Sequence, residues 1–174
     1  MDQILKSTLK DIRELRILIN NAYRGSAAKE GWTNESDLLD GQRIDDEELI
    51  RLISDQFITI LKYVRNGKII GCVLLKQNDN EIYLGMLSVM PVLQAAGIGK
   101  KLLDASEIHA LNRNCDLIKM TVFTIRKELI EWYKRHGYND TGIKSSFDPG
   151  DNRFGKPKIE LEFSTLSKLL RKII

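Results

Sequence analysis

Apolar residues recur at helical spacing between Leu9 and Tyr23, at Ile12, Leu15, Ile19 and Ala22, which predicts an amphipathic first helix. The period is lost from Arg24 to Gly41, a Gly-, Ser- and Asn-rich stretch that reads as a loop with short helical turns. Asp45 followed by Glu48 resembles a capping arrangement and opens a helix through Leu49, Leu52 and Ile53. The pattern then turns β-rich over Phe57 to Val64 and Lys68 to Lys76, two runs separated by Arg65-Asn66-Gly67. Asn-Gly between such runs is a strong hairpin signal, because both residues tolerate positive φ. Asn78-Asp79-Asn80 makes a second turn, and a third strand runs from Glu81 to Met90, where Pro91, which has no N–H for a ladder, ends it.

A helix follows from about Gly97 to Asn112, with Ile98, Leu102, Ala105 and Ile108 on one face, then a strand from Asp116 to Thr124. Strand, helix, strand in this order is a right-handed crossover with parallel strands. A further helix is expected from about Lys127 to His136, and strands near Tyr138–Phe147 and Lys158–Phe163. The tail from Ser164 to Ile174, with Leu166, Leu169, Leu170 and Ile173 on one face, predicts a short closing helix. The chain reads as one mixed α/β domain over 1–174, built around a central sheet.

Composition narrows the function classes. With 174 residues, 43% of them hydrophobic and 29% charged, the chain can bury a core and is not of disordered type. The net charge of +3 is too slight to argue for nucleic acid. Cys72 and Cys115 lie in apolar runs without C-x-x-C spacing or a histidine cluster, which reads as two buried thiols and no metal site. Met1 to Arg13 mixes charged and apolar residues, so neither a signal peptide nor a membrane span is expected, and the cytoplasm is the default location.

The chemistry is concentrated in Leu87-Ser88-Val89-Met90-Pro91-Val92-Leu93-Gln94-Ala95-Ala96-Gly97-Ile98-Gly99-Lys100. Small residues where a strand passes through a loop into a helix let backbone amides face outward, and the helix N-terminus adds unpaired donors and a partial positive charge. That combination binds phosphate. It is not a nucleotide-triphosphate loop, since Gln94 stands at the required first glycine and Lys101 at the required Ser/Thr. A dinucleotide fingerprint fails at Leu102, in place of its third glycine.

Gln94-Ala95-Ala96-Gly97-Ile98-Gly99 resembles the Q-x-x-G-x-G pyrophosphate motif of the GNAT superfamily of N-acetyltransferases, and Glu131 to Tyr138 resembles its second signature. Together the matching parts cover roughly Glu81 to Tyr138. The resemblance implies a GNAT-like α/β fold, with a splayed pair of parallel strands in the mixed central sheet, flanked by helices. It implies acetyl-CoA as co-substrate, no metal, and transfer of the acetyl group to a primary amine of a small molecule or peptide. Backbone groups around Leu87, Ser88 and Val89 would pair with the pantetheine arm, and Gln94, Ala95, Ala96, Gly97, Ile98, Gly99 and Lys100 would hold the pyrophosphate, with Lys101 as a further charge. An N–H near Val89 would stabilise the developing oxyanion.

In the same correspondence Tyr133 takes the place of the general acid. Glu81 is the candidate base, and a solvated strand end is the competing reading for it. Arg126 stands where many relatives have a cofactor-contacting Asn and could reach a phosphate or the substrate. His109 reads as a surface residue and His136 as a helix cap. Trp32, Glu35 and Arg43 are the candidate substrate residues: aromatic plus carboxylate suits a cationic amine, whereas Arg43 suits a carboxylate-bearing one. The rival reading is a catalytically weak acyl-CoA-binding regulatory module of the same fold. Neither nucleic acid nor membrane is an expected partner, and a homodimer stays open.

Overall fold

The computed structural model describes residues 1–24, 34–148, 150 and 154–170. After strand β1 (Asp2–Lys6) and one 3-10 turn, helix α1 covers Ile12–Tyr23. The two-residue β2 (Leu39–Asp40) precedes α2 (Asp46–Ser54), whose N-cap Asp45 accepts the Glu48 N–H at 2.8 Å, as its sequence predicts. Strands β3 (Ile58–Arg65), β4 (Lys68–Asn78) and β5 (Glu81–Val89) form a meander. Its first turn carries Asn66 and Gly67 at φ 52° and 75°, and Asp79 in its second has φ 51°. A 3-10 turn at Pro91–Leu93 leads into α3 (Ile98–Asn112), then β6 (Leu117–Phe123) and α4 (Lys127–Arg135). The described chain finishes with β7 (Asn139–Ser146), the short β8 (Lys156–Pro157) paired to β2, and β9 (Glu162–Leu169).

The main sheet has seven strands in the order β1-β3-β4-β5-β6-β9-β7. Only β5 and β6 run parallel; the other pairs are antiparallel. One face is covered by α1 and α2, where Leu15, Ile19 and Leu49 pack on Ile58, Ile60, Cys72 and Leu74. The other is covered by α3 and α4, where Leu102, Leu103, Ile130 and Tyr133 pack on Val73, Leu75, Ile82 and Ile118. The uninterrupted apolar run of β4 fits this place, buried from both sides in mid-sheet.

Several expectations need correcting. On α3 Ile108 is 62% exposed, and the buried face runs through Ile98, Leu102, Ser106 and Ala110; the strand expected over Lys158–Phe163 is replaced by the short β8 before it and by β9, which starts only at Glu162. The tail is not a helix up to residue 170. Residues 162–169 form β9, which fills the slot between β6 and β7 in register from Leu117↔Leu169 to Phe123↔Phe163. Ser164 and Leu166 are buried while Leu169 is 72% exposed, a division by strand alternation that a helical stripe through Leu166 and Leu169 would not give. Residues 171–174 lie outside the described part. A further correction is β1, where no strand is expected: it is short, exposed along nearly its whole length and at the sheet edge, so hydrophobic patterning carries little of its signal.

Candidate functional site

The site begins with a fault in the central ladder. Gly85 of β5 faces Leu74 of β4 and Ser88 faces Cys72, so Met86 and Leu87 together stand opposite Val73. This is a β-bulge, with Met86 forced to φ 48°. On the other side of β5 the parallel pairing with β6 stops at Tyr83↔Lys119. Beyond it the two strands part.

Alternation decides which groups face that gap. The Met90 N–H donates to the Ile70 carbonyl at 2.9 Å, so Met90 and Ser88 turn their backbone groups to β4, while those of Leu87 and Val89 turn to the open side. Side chains confirm the direction, since Tyr23 Oη donates to the Leu87 carbonyl at 2.7 Å and Gln94 Nε2 to the Val89 carbonyl at 3.1 Å. Ser88 itself is fully buried, with its hydroxyl on the Met86 carbonyl at 3.0 Å, and does not line the gap.

At the end of β5 the chain enters α3 through a tight turn. Ala95 and Gly97 both have positive φ, 70° and 77°, and Gly97 is the N-cap of α3. The first helical bond runs from the Lys101 N–H to the Gly97 carbonyl at 3.1 Å, so the N–H groups of Ile98, Gly99 and Lys100 precede the intrahelical ladder. Within this stretch the Ile98 side chain goes to the core and the Trp132 ring lies 3.4 Å from where a Gly99 Cβ would stand. Lys100 pairs with Asp104 at 2.6 Å and borders the cavity; Lys101 instead reaches Tyr63 Oη at 3.2 Å, away from it.

Between this turn and α4 lies a cavity of about 260 Å³. Its walls are Leu87, Val89, Leu93, Gln94, Ala95, Gly97, Gly99 and Lys100 on one side, and Leu129, Trp132, Tyr133 and His136 on the other. Tyr133 is buried and set edge-on to both Trp132 and Tyr138, at ring separations of 5.0 and 5.9 Å. Burial pushes its phenol well above the ordinary range, so the hydroxyl keeps its proton. His136 caps α4 as the sequence suggests, with Nδ1 2.8 Å from the Trp132 carbonyl.

Tyr23 separates this cavity from a second one of about 370 Å³ on the α1–α2 side of the sheet. Glu35 and Arg43 both line the second cavity, together with Arg24, Tyr83, Thr121 and an aromatic wall of Phe123, Phe147 and Phe163. Asn20 of α1 fixes the approach of Arg43, accepting its N–H at 2.6 Å and donating to the Ile44 carbonyl at 2.9 Å. The Glu35 N–H is held by the Tyr23 carbonyl at 2.9 Å. Burial pushes the Glu35 carboxyl up, against the pull of Arg43, Arg24 and Arg126, and pulls the Arg24 guanidinium down.

Other candidates fall elsewhere. Glu81 sits at the closed end of the β5–β6 pair, bound to Lys119 at 2.6 Å, and lines neither cavity. The solvated strand end is the better description of it. Arg126 is buried at the start of α4, donating to the Asn34 carbonyl and to Glu128, both at 2.9 Å, and does not border the phosphate-type turn. Trp32 lies outside the described residues. The sequence reading gives no site role to Tyr23 or to the phenylalanines of the aromatic wall. Trp132 enters it only within the second signature and His136 only as a helix cap, although their spacing with Leu129 is the signal of one lining face.

Comparison with known proteins is consistent with this arrangement. Ribosomal-protein-alanine N-acetyltransferase from Brucella melitensis superimposes with a TM-score of 0.73 at 17% identity, over 97% of this chain and 99% of that one. The PaiA N-acetyltransferase from Thermoplasma acidophilum, solved in complex with coenzyme A, gives 0.70 at 17% identity, over 97% and 99%. An N-acetyltransferase from Staphylococcus aureus Mu50 gives 0.74 at 13%, over 98% and 99%. At these identities the likeness shows the fold. The sequence itself matches the acetyltransferase (GNAT) family over residues 14–138, well over half its length, and with the bulge, the parted strands and the glycine turn in place, the chain belongs to the GNAT family of acetyltransferases.

Proposed function

We propose that this protein transfers an acetyl group from acetyl-CoA directly to the primary amine of a small molecule or peptide. The observation that carries the reading is the continuous path along the open side of β5. It runs from the outward carbonyls of Leu87 and Val89 to the positive-φ turn at the start of α3, with Tyr133 in its wall. The residues fit the co-substrate. An unpaired strand edge suits an extended amide-bearing arm, and a turn whose amides precede the helix ladder suits a diphosphate. Leu87 and Val89 would hold the arm, and Gln94 to Lys100 the diphosphate, with Leu129 and Trp132 as apolar cover. When bound, the thioester supplies an activated acyl carbon and a thiolate leaving group.

The chain's own residues then have definite tasks. The Val89 N–H shares the outward side with its carbonyl and is placed to polarise a carbonyl oxygen. Tyr133 keeps a proton on Oη because burial disfavours its anion, and aromatic neighbours on two sides hold the ring still. The apolar walls of the first cavity, Leu87, Val89, Leu129 and Trp132, favour exclusion of water there. The amine comes from the second cavity, past Tyr23, which borders both.

Thiol release from acetyl-CoA across a panel of amines tests the reading, alongside thermal unfolding with and without acetyl-CoA. A raised melting temperature and amine-dependent thiol release are expected. Tyr133→Phe should lower kcat at least roughly tenfold while leaving coenzyme A affinity within about threefold. A melting shift without thiol release for any amine would instead support the regulatory-module reading, and an unchanged kcat would remove Tyr133 from proton transfer.

A further inference from the structure

The second cavity has a mismatch between donors and acceptors. Each carboxylate that lines it has at least one partner. Glu48 holds Arg51 through two bonds at 2.8 and 2.5 Å, Asp148 accepts the Gly150 N–H at 2.9 Å, and Glu35 stands 3.5 Å from Arg24 Nη2. The cationic side is left with donors to spare. Arg24 is 7% exposed, and among the described residues its terminal nitrogens make only long contacts, 3.5 Å to Glu35 and 3.3 Å to the Gly41 carbonyl, while its Nε is sealed inside the protein. Arg43 lies over the Tyr23 ring, 5.7 Å from its centroid, and among the described residues its guanidinium donates to no acceptor. A guanidinium carries five donors in a planar fork, which matches a carboxylate edge. A half-buried guanidinium that lines the cavity without an acceptor is complemented by an oxyanion on the ligand.

Across the cavity stands an apolar counterpart. Phe123 and Phe163 stack at 4.5 Å and 8°, and Phe147 meets both edge-on at 5.5 and 5.7 Å. Such a wall receives a flat or branched apolar group. We propose that the acceptor is a small amine bearing a carboxylate and an aromatic or large apolar side chain, in short an apolar α-amino acid. Its carboxylate is held by Arg24 and Arg43, and its side chain lies against Phe123, Phe147 and Phe163. This deepens the transferase reading and rests on it for the fate of the amine, but the binding chemistry stands on the cavity alone.

Three probes isolate the carboxylate: phenylalanine, phenylalaninamide and phenethylamine. They share the amine and the ring and differ only at the anionic group. Binding is measured by calorimetry on the full chain saturated with coenzyme A, for the wild type, Arg43→Gln and Arg43→Lys, and transfer is measured separately by thiol release. Phenylalanine should bind at least roughly tenfold tighter than the other two, as charge-assisted hydrogen bonds do. In Arg43→Gln that preference should fall toward one, and Arg43→Lys should restore part of it. Equal or weaker binding of phenylalanine in a folded wild type, or a preference that survives Arg43→Gln, overturns the proposal. Tight phenylalanine binding with no thiol release leaves the proposed ligand class standing and refutes the transferase reading.

Discussion

Gly97 offers a substitution whose effects on stability and on binding should have opposite signs. It sits at φ 77° and ψ 3°, caps α3, and a Cβ there would meet nothing within 4 Å. Steric clash therefore does not enter, and the cost of any side chain is the left-handed backbone, roughly 1 kcal/mol. Asn and Asp are the residues that tolerate this region best, and they are nearly isosteric. Gly97→Asn and Gly97→Asp thus share strain and volume and differ in one charge. At the start of α3 a carboxylate interacts well with the helix dipole, so the Asp variant should be the more stable by roughly 0.3 to 1 kcal/mol. A diphosphate bound at the same amides reverses the preference. Two unit charges about 5 Å apart repel by about 1 kcal/mol in bulk water and about 3 kcal/mol at an effective dielectric of 20. The Asp variant should then bind coenzyme A roughly fivefold to 150-fold more weakly than the Asn variant. Urea unfolding of the free protein gives the first difference, and calorimetric titration with coenzyme A the second. The binding gap should narrow as salt is raised, because exposed charges are screened. Two folded variants with equal coenzyme A affinity at low salt would show that the turn does not face the diphosphate.

Two further outcomes follow from the placement of single side chains. Glu81→Gln should leave kcat/KM within about twofold and stability within about 1 kcal/mol, since its partly exposed pair with Lys119 is of the weak kind and lines no cavity; a loss beyond tenfold would return Glu81 to the mechanism. Cys72 gives a pH dependence. Burial pushes its thiol from 9.0 up to about 12, so the folded state keeps the proton after the unfolded state has lost it. Because the folded value is the raised one, the stabilisation is complete below pH 9 and declines toward pH 12, by up to about 1.4 kcal/mol per pH unit. Urea unfolding at pH 9 and 10 should show a shallower decline for Cys72→Ala than for the wild type, since the losses from the buried tyrosines begin in this range in both proteins and cancel. Cys115 titrates in both proteins and cancels; equal slopes would refute the assignment.

What the sequence conveys here depends on how local the determinant is. Asn66-Gly67 and Asp45 specify their turn and cap through their own backbone and side-chain chemistry, and both appear where their residue types place them. Gly97 is of the same kind, whereas Ala95 at φ 70° is not, because nothing in an alanine announces a left-handed residue. The tail fails for the opposite reason. Leucines at 166, 169 and 170 satisfy a helical period, and the strand is decided by an empty place between β6 and β7 that no local pattern describes. The second cavity is still less local. Its walls come from the end of α1, from residues 35–48, and from β5, β6 and the β7–β9 region, so that Arg24 and Phe163 meet only through the sheet order.

The two cavities, proposed above for co-substrate and acceptor, meet at the bulge. An extra residue against Val73 turns the Leu87 carbonyl to the open side, and that carbonyl is held by Tyr23, a residue bordering both cavities. A regular ladder at Met86 would move every later β5 residue by one position and turn Leu87 and Val89 toward β4. The strand edge would then no longer present the groups that a pantetheine arm needs, and Tyr23 would lose its acceptor. One strained methionine thus sets the register on which the carbonyl edge, the approach to the glycine turn and the partition between the two cavities all depend.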